Sequence, residues 1–457
     1  MFDLSKYKNI HAIGIGGIGL SAICEILLSR GYNVSGSDMK ESEMTMKLAQ
    51  MGARVFIGHR KENVENADVL LYTAAIGPDN PELLRAKERG IPCLSRAEML
   101  GYLMSEYENS IAVSGTHGKT TTTSMVSLIM ENAGLDPTIL VGGNLGEIGG
   151  NCQVGYSQYF VTEACEYVDS FLSLKPKIEI ILNIDSDHLD YFKDINQIVR
   201  SFDRFAKLVP NDGLIIAYDA NPFVNQVING LDNVITFGLN EKCNYYGKDI
   251  RFDENGMPGF DVYKNGEFLI HVDLSVPGEH NVLNALAAFA CCHTLGVSEK
   301  TIADTLHGYS GTERRFDIIG TTRSGVKVVD DYAHHPTEIK ATLSATKNVP
   351  HNELWVCFQP HTYTRTLALF DEFADAFTGT DHLILAEIYA AREKNIYKIS
   401  SQQLIVKIKE THPDMDVCYI DNFEDMAKYL KENTSKGDMV ITMGAGDIYK
   451  VGDLLLD

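Results

Sequence analysis

Ser114-Gly115-Thr116-His117-Gly118-Lys119-Thr120-Thr121 lies between the apolar run Ser110-Ile111-Ala112-Val113 and an apolar-periodic stretch from Thr122 to Ala133. A strand, a glycine loop and a helix in that order form a phosphate cradle. Backbone N–H groups at the helix start face the oxygens, a lysine reaches the terminal phosphates, and the next hydroxyl can ligate Mg²⁺. The loop has the short form Gly-x-x-Gly-Lys-Thr, because Val113 stands where longer phosphate loops carry their first glycine. Gly115, Thr116, His117, Gly118, Lys119, Thr120 and Thr121 are therefore candidate ATP-binding residues. Lys119 is the candidate catalytic cation and Thr120 a candidate metal ligand.

Outward from this loop, strand and helix signals alternate along most of the chain. Ile10 to Ile15 reads as a strand, followed by the glycine loop Gly14-x-Gly16-Gly17-x-Gly19, a helix to Arg30 and a strand Tyr32 to Ser37. That is a Rossmann-like half. Polar residues at Glu106-Tyr107-Glu108-Asn109 mark a boundary before the phosphate-loop strand, and buried-strand candidates follow at Tyr159 to Thr162 and Ile178 to Ile184. Between Phe237 and Val276 short alternating runs around a Lys264-Asn265-Gly266-Glu267 turn predict a small antiparallel insertion. After Ser310-Gly311-Thr312 the α/β alternation resumes, with strands at Val326 to Val329, Leu354 to Phe358, Leu383 to Ala386 and Met439 to Thr442. The expected fold is α/β in three domains. These are a Rossmann-like domain over 1–107, a central P-loop ATPase-like domain over 108–312, and a C-terminal Rossmann-like domain over 313–457.

Composition narrows the partners. A formal charge of −22 opposes non-specific binding to nucleic acid or an anionic membrane, so anionic ligands must be met by local cations and helix N-termini. Nine cysteines without Cys-x-x-Cys spacing indicate neither a zinc ribbon nor a disulfide framework, which fits a reducing cytoplasm. No apolar stretch reaches the ~20 residues of a membrane span.

Several constellations can carry chemistry. The first glycine loop, with Asp38 placed to meet a ribose, suggests a dinucleotide such as NAD, or only a tight turn. Glu163-Ala164-Cys165-Glu166 ends a predicted strand, and one of its glutamates can complete a Mg²⁺ site with Thr120. His188, in Asn183-Ile184-Asp185-Ser186-Asp187-His188-Leu189-Asp190, is either a second metal ligand or a satisfied polar residue. Asn281, at the start of an apolar helix, can read a base edge or merely cap. Polar groups concentrate in Glu313-Arg314-Arg315-Phe316, Asp330-Asp331-Tyr332-Ala333-His334-His335-Pro336 and Gln359-Pro360-His361-Thr362-Tyr363-Thr364-Arg365. Arginine suits bidentate recognition, which makes Arg315 a phosphate candidate and Arg365 a carboxylate candidate.

In order along the chain, Gly-Thr-His-Gly-Lys-Thr, Glu-Ala-Cys-Glu-Tyr, Asp-His-Leu-Asp, His-Asn-Val-Leu-Asn-Ala, Arg-Arg-Phe, Asp-Asp-Tyr-Ala-His-His-Pro and Gln-Pro-His-Thr-Tyr-Thr-Arg resemble the Mur ligase family. The resemblance implies an ATP- and Mg²⁺-dependent amide-forming ligase of cytoplasmic peptidoglycan precursor synthesis, with UDP-N-acetylmuramate and L-alanine as substrates. It assigns Gly14, Gly16, Gly17, Gly19 and Asp38 to the UDP-sugar rather than to NAD. Glu166 and His188 become metal ligands beside Thr120, and both join Lys119 and His335 in the catalytic set. Asn281, Arg315 and Asp331 fall near ATP, and Tyr332, His361 and Arg365 near the amino acid. Cys165 and Tyr167 stand where many relatives carry Asp and Ser. Two other readings stay open, a ligase that recycles a preformed tripeptide and an NAD-dependent oxidoreductase.

Overall fold

The computed structural model describes residues 2–457, which form three α/β domains, each built on its own sheet. In the first, five parallel strands lie in the order Arg54–Ile57, Asn33–Asp38, Asn9–Ile13, Val69–Tyr72, Cys93–Ser95. The strand Asn9–Ile13 is central and almost wholly buried, and at its carboxyl end the glycine loop turns into the helix Ile18–Ser29.

The central sheet has ten strands, seven of them running parallel from Tyr245–Phe252 through Asn109–Ser114 to Thr138–Leu145. The antiparallel ribbon expected between Phe237 and Val276 forms, with Asn265 and Gly266 both at positive φ in its turn. It is not a separate insertion, however. Tyr245–Phe252 pairs in parallel with Val234–Gly238, so the ribbon prolongs the main sheet. The register explains where chemistry gathers. Ser114 lies opposite both Ala164 and Ile181, so the phosphate loop, the Glu166 segment and the Asn183 segment leave the sheet at one level. Ligands of open parallel sheets bind at such carboxyl edges.

Beneath that edge Glu179 is fully buried on the strand Ile178–Ile181. The Ser114 hydroxyl lies 3.0 Å from Glu179 Oε1 and 2.9 Å from the Ile180 carbonyl, yet it has one proton to give. A protonated Glu179 resolves this by donating to Ser114, which then donates to Ile180. Burial accordingly lifts the Glu179 carboxyl from 4.5 to about 8. Between those values the folded state holds a proton that the unfolded chain releases. The contribution to stability is therefore fully present below pH 4.5 and lost as pH rises to about 8. Glu179→Gln keeps the donor without the titration. In thermal melts its Tm is expected to gain on the wild type steadily from pH 5 to 8, and a pH-independent difference would refute this.

The third sheet has six strands in the order Asp317–Thr321, Lys327–Asp331, Met439–Met443, Leu354–Phe358, His382–Leu385, Asp416–Tyr419, parallel except for the first. The first and central domains share a continuous apolar core, in which Leu20, Ile23 and Leu103 pack with Phe160, Phe171 and Phe202. The third has its own cores and meets the central domain mainly through polar groups. An interface of that kind leaves relative motion open. No helix among the described residues is long and apolar enough to cross a membrane.

Candidate active site

The helix Lys119–Asn132 starts at Gly118 in the left-handed region, φ 84°, with no side-chain cap, so its first N–H groups are left to a ligand. A Cβ at Gly118 would lie 2.6 Å from Asn284 Oδ1, so the loop sits on the helix Glu279–Thr294 as only glycine can. Asn183 braces the loop by accepting from the His117 N–H at 2.8 Å and donating to its carbonyl at 2.9 Å.

Lys119 donates to the carbonyls of Gly115 and Thr116 and to Glu166 Oε2 at 2.9 Å. Glu166 is 2% exposed, so Lys119 is its buried counter-charge. Burial opposes the ammonium form, yet Glu166 holds the Lys119 pKa above its ordinary value. His188, at φ 55°, brings Nε2 to 3.8 Å from Glu166 Oε1. Thr120 is buried one residue along the helix. Glu166 and His188 bring a buried carboxylate and an imidazole close together, and with the Thr120 hydroxyl these are donor types that suit Mg²⁺ or Mn²⁺.

A second polar cluster joins the central and third domains. His117 Nε2 donates to Asp185 Oδ2 at 3.3 Å and Nδ1 to Glu338 Oε1 at 3.2 Å. Burial works against this imidazolium, but hydrogen bonds to the two carboxylates raise its pKa to about 9. His335 donates from Nε2 to the Ser186 carbonyl at 2.9 Å and accepts at Nδ1 from the Thr337 N–H at 3.2 Å. The bond to Ser186 ties the third domain to the central one, and the bond to Thr337 caps its own helix.

Three cavities surround these groups. One of about 450 Å³ is lined by Gly118, Thr121, Asn281, Arg315 and Asp331 and by apolar Phe223 and Leu283, which fits a nucleoside. Asp331 accepts there from the Phe316 and Ala333 N–H groups, and burial raises its pKa to about 6. A second, of about 840 Å³, is bounded by Gly14, Gly17, Gly19 and Asp38 from the first domain and Glu163 and Cys165 from the central one. Asp38 is less free than its spacing suggests. Its carboxylate accepts from the Gly16 N–H at 2.9 Å and the Met39 N–H at 2.7 Å, bracing the glycine loop. The third, of about 340 Å³, lies between Asp187-His188-Leu189-Asp190 and His361, Arg365 and Arg392. Burial keeps His361 neutral, its pKa lowered to about 3. Tyr332, expected beside His361 and Arg365, does not border this cavity; the Arg314 and Arg315 guanidinium groups lie 5.0 and 5.1 Å from its ring centre.

Three family profiles cover most of the chain in sequence. "Mur ligase family, catalytic domain" matches residues 9–108, "Mur ligase middle domain" 113–292, and "Mur ligase, glutamate ligase domain" 314–446. The chain belongs to the Mur ligase family. This Mur ligase is similar to the UDP-N-acetylmuramate–L-alanine ligases of Alkaliphilus metalliredigens and Clostridium tetani. It is 52% identical to the first over 99% of this chain and 98% of that one, and 52% identical to the second over 100% and 99%. Its fold superposes on the UDP-N-acetylmuramate-alanine ligase of Thermotoga maritima with a TM-score of 0.83 at 29% identity, covering 98% of both chains. A murein peptide ligase from Psychrobacter arcticus gives 0.74 at 25% identity over 98% of both.

Within this Mur ligase, several groups at the site escaped sequence reasoning. Arg365 donates to Asp187 Oδ1 at 3.0 Å across the domain gap. Burial alone would raise the Asp187 pKa, but Arg365 and the neighbouring histidines hold it far below the usual carboxylate range. Glu338 is the N3 acid of the capping box at His335, and it also pairs with His117 from another domain. Arg392, in Ala390-Ala391-Arg392-Glu393, follows no glycine motif and lies just beyond a strand the sequence did place.

Proposed function

We propose that this chain joins L-alanine to the lactyl carboxylate of UDP-N-acetylmuramate with consumption of ATP. One observation carries the reading: the paired Lys119 and Glu166 are flanked by residues of three cavities, Gly118 lining the nucleotide cavity, Cys165 the cavity with the glycine loop, and Tyr167 the small cavity with Arg365 and His361. A three-substrate condensation needs that layout, and a hydride transfer does not. A cavity of about 340 Å³ also suits a free amino acid better than an extended tripeptide. The names of the relatives at about half identity agree with this choice.

A carboxylate resists an amine because oxide is a poor leaving group. Transfer of the γ-phosphoryl group to the carboxylate oxygen gives ADP and an acyl phosphate. The alanine nitrogen then attacks the acyl carbon, the C–O bond to phosphorus breaks, phosphate leaves with the electron pair, and the nitrogen sheds a proton to solvent. Lys119 and the bare N–H groups after Gly118 would hold the phosphates in line, so that positioning and charge stabilisation supply most of the acceleration. Thr120, Glu166 and His188 would hold Mg²⁺, which when bound offsets phosphate charge. Arg315 would meet phosphate, Asn281 and Asp331 the nucleoside, and Arg365 with His361 the alanine carboxylate. Packing of the third domain onto the loop excludes water that would hydrolyse the acyl phosphate.

The test uses UDP-N-acetylmuramate labelled with oxygen-18 in the lactyl carboxylate. With ATP and L-alanine, label is expected in released phosphate and ADP release should depend on all three substrates. Unlabelled phosphate would sink the acyl-phosphate route, and turnover with a tripeptide but not alanine would favour the recycling ligase.

A further inference from the structure

Resting on that reading, we infer that Arg392 holds the carboxyl end of the sugar nucleotide where the acid meets the amine. Among the described residues Arg392 alone borders both the 840 Å³ cavity and the 340 Å³ cavity. The far end of the larger cavity already has phosphate-binding devices. These are the glycine loop at the start of the helix Ile18–Ser29 and Arg96, whose Nη1 lies 3.0 Å from where a Cβ on Gly19 would sit. A nucleotide stretched from that loop brings its opposite end past Glu163 and Cys165 to Arg392.

Charge makes the same point. The junction is crowded with acids: Glu163, Glu166, Asp187 and Asp190. An incoming carboxylate needs a cation there, but Lys119 is engaged by Glu166 and Arg365 by Asp187. Arg392 makes neither kind of pairing, and it is the cation beside the Tyr167 hydroxyl, which donates to Asp190 at 2.9 Å.

Its backbone is set rather than loose. The Tyr389 N–H donates to the Pro360 carbonyl at 2.8 Å and the Thr362 N–H to the Tyr389 carbonyl at 2.9 Å, while Glu393 accepts from the N–H and hydroxyl of Thr364. Ala391 and Thr362, neither a glycine, sit at φ 50° and 65°. Strain of this kind persists where the surroundings impose it, and here it aims a guanidinium at the gap between two cavities.

The test compares two probes on the full-length protein by calorimetry, UDP-N-acetylmuramate and UDP-N-acetylglucosamine, which lacks the lactyl carboxylate. Arg392→Gln is expected to weaken binding of the first at least tenfold and of the second less than twofold, and to raise the KM for UDP-N-acetylmuramate with the KM for ATP unchanged. Arg392→Lys should recover part of the loss. Equal weakening of both probes, or of neither, overturns the assignment while leaving the proposed activity intact. If the wild type binds neither, the parent reading fails with it.

Discussion

Lys119→Ala is expected to lower kcat/KM at least ~10³-fold, a loss of about 4 kcal/mol of transition-state stabilisation, read as ADP release at saturating L-alanine and sugar nucleotide. The same change has a second consequence that depends only on burial. Glu166, 2% exposed, loses the ammonium 2.9 Å away, and an uncompensated buried charge costs about 3–5 kcal/mol. The variant should melt several degrees lower than the wild type. Millimolar Mg²⁺ should then raise the Tm of the variant more than that of the wild type, since a divalent ion at Glu166 and His188 supplies the missing charge. Near-normal ADP release would remove Lys119 from the phosphate site. An equal Mg²⁺ shift in both proteins would remove Glu166 from the metal site.

Arg365→Ala should raise the KM for L-alanine ~10²-fold or more, with the KM for ATP nearly unchanged. Loss of a charge-assisted, two-pronged contact costs about 3 kcal/mol. Arg365→Lys should recover little, because an ammonium cannot span two carboxylate oxygens. The Arg365 guanidinium hydrogen-bonds to Asp187 and His361. Alanine binding therefore means sharing or exchanging an existing partner. Steady-state kinetics with alanine as the varied substrate checks this, and an unchanged KM would show that another group reads the amino-acid carboxylate.

How far the site was readable depends on where each residue sits. Lys119, Glu166 and His188 follow strands whose apolar runs are plain in the sequence, and in a parallel sheet the carboxyl ends of neighbouring strands share one edge. Their proximity is thus a consequence of strand order. The strand placed at Ile178 to Ile184 stops at Ile181, because Asn183 to Asp187 leave the ladder to brace the phosphate loop. The helix Tyr363–Ala368 is capped by Thr362 at positive φ, a backbone state that residue type does not announce. Tyr332 was placed near the amino acid by the family resemblance alone, while its ring lies against Arg314 and Arg315.

From the chain alone came three α/β units, a phosphate loop in the second, a glycine loop in the first, and the kinds of side chain at each strand end, because periodicity and turn chemistry are local properties. Tertiary structure alone decided which charges pair. Asp187 with Arg365, His117 between Asp185 and Glu338, and Arg392 at the meeting of two cavities all join segments far apart in the chain. The physical reason is that burial and Coulomb attraction act on distance in space, and the relative placement of three sheets sets those distances.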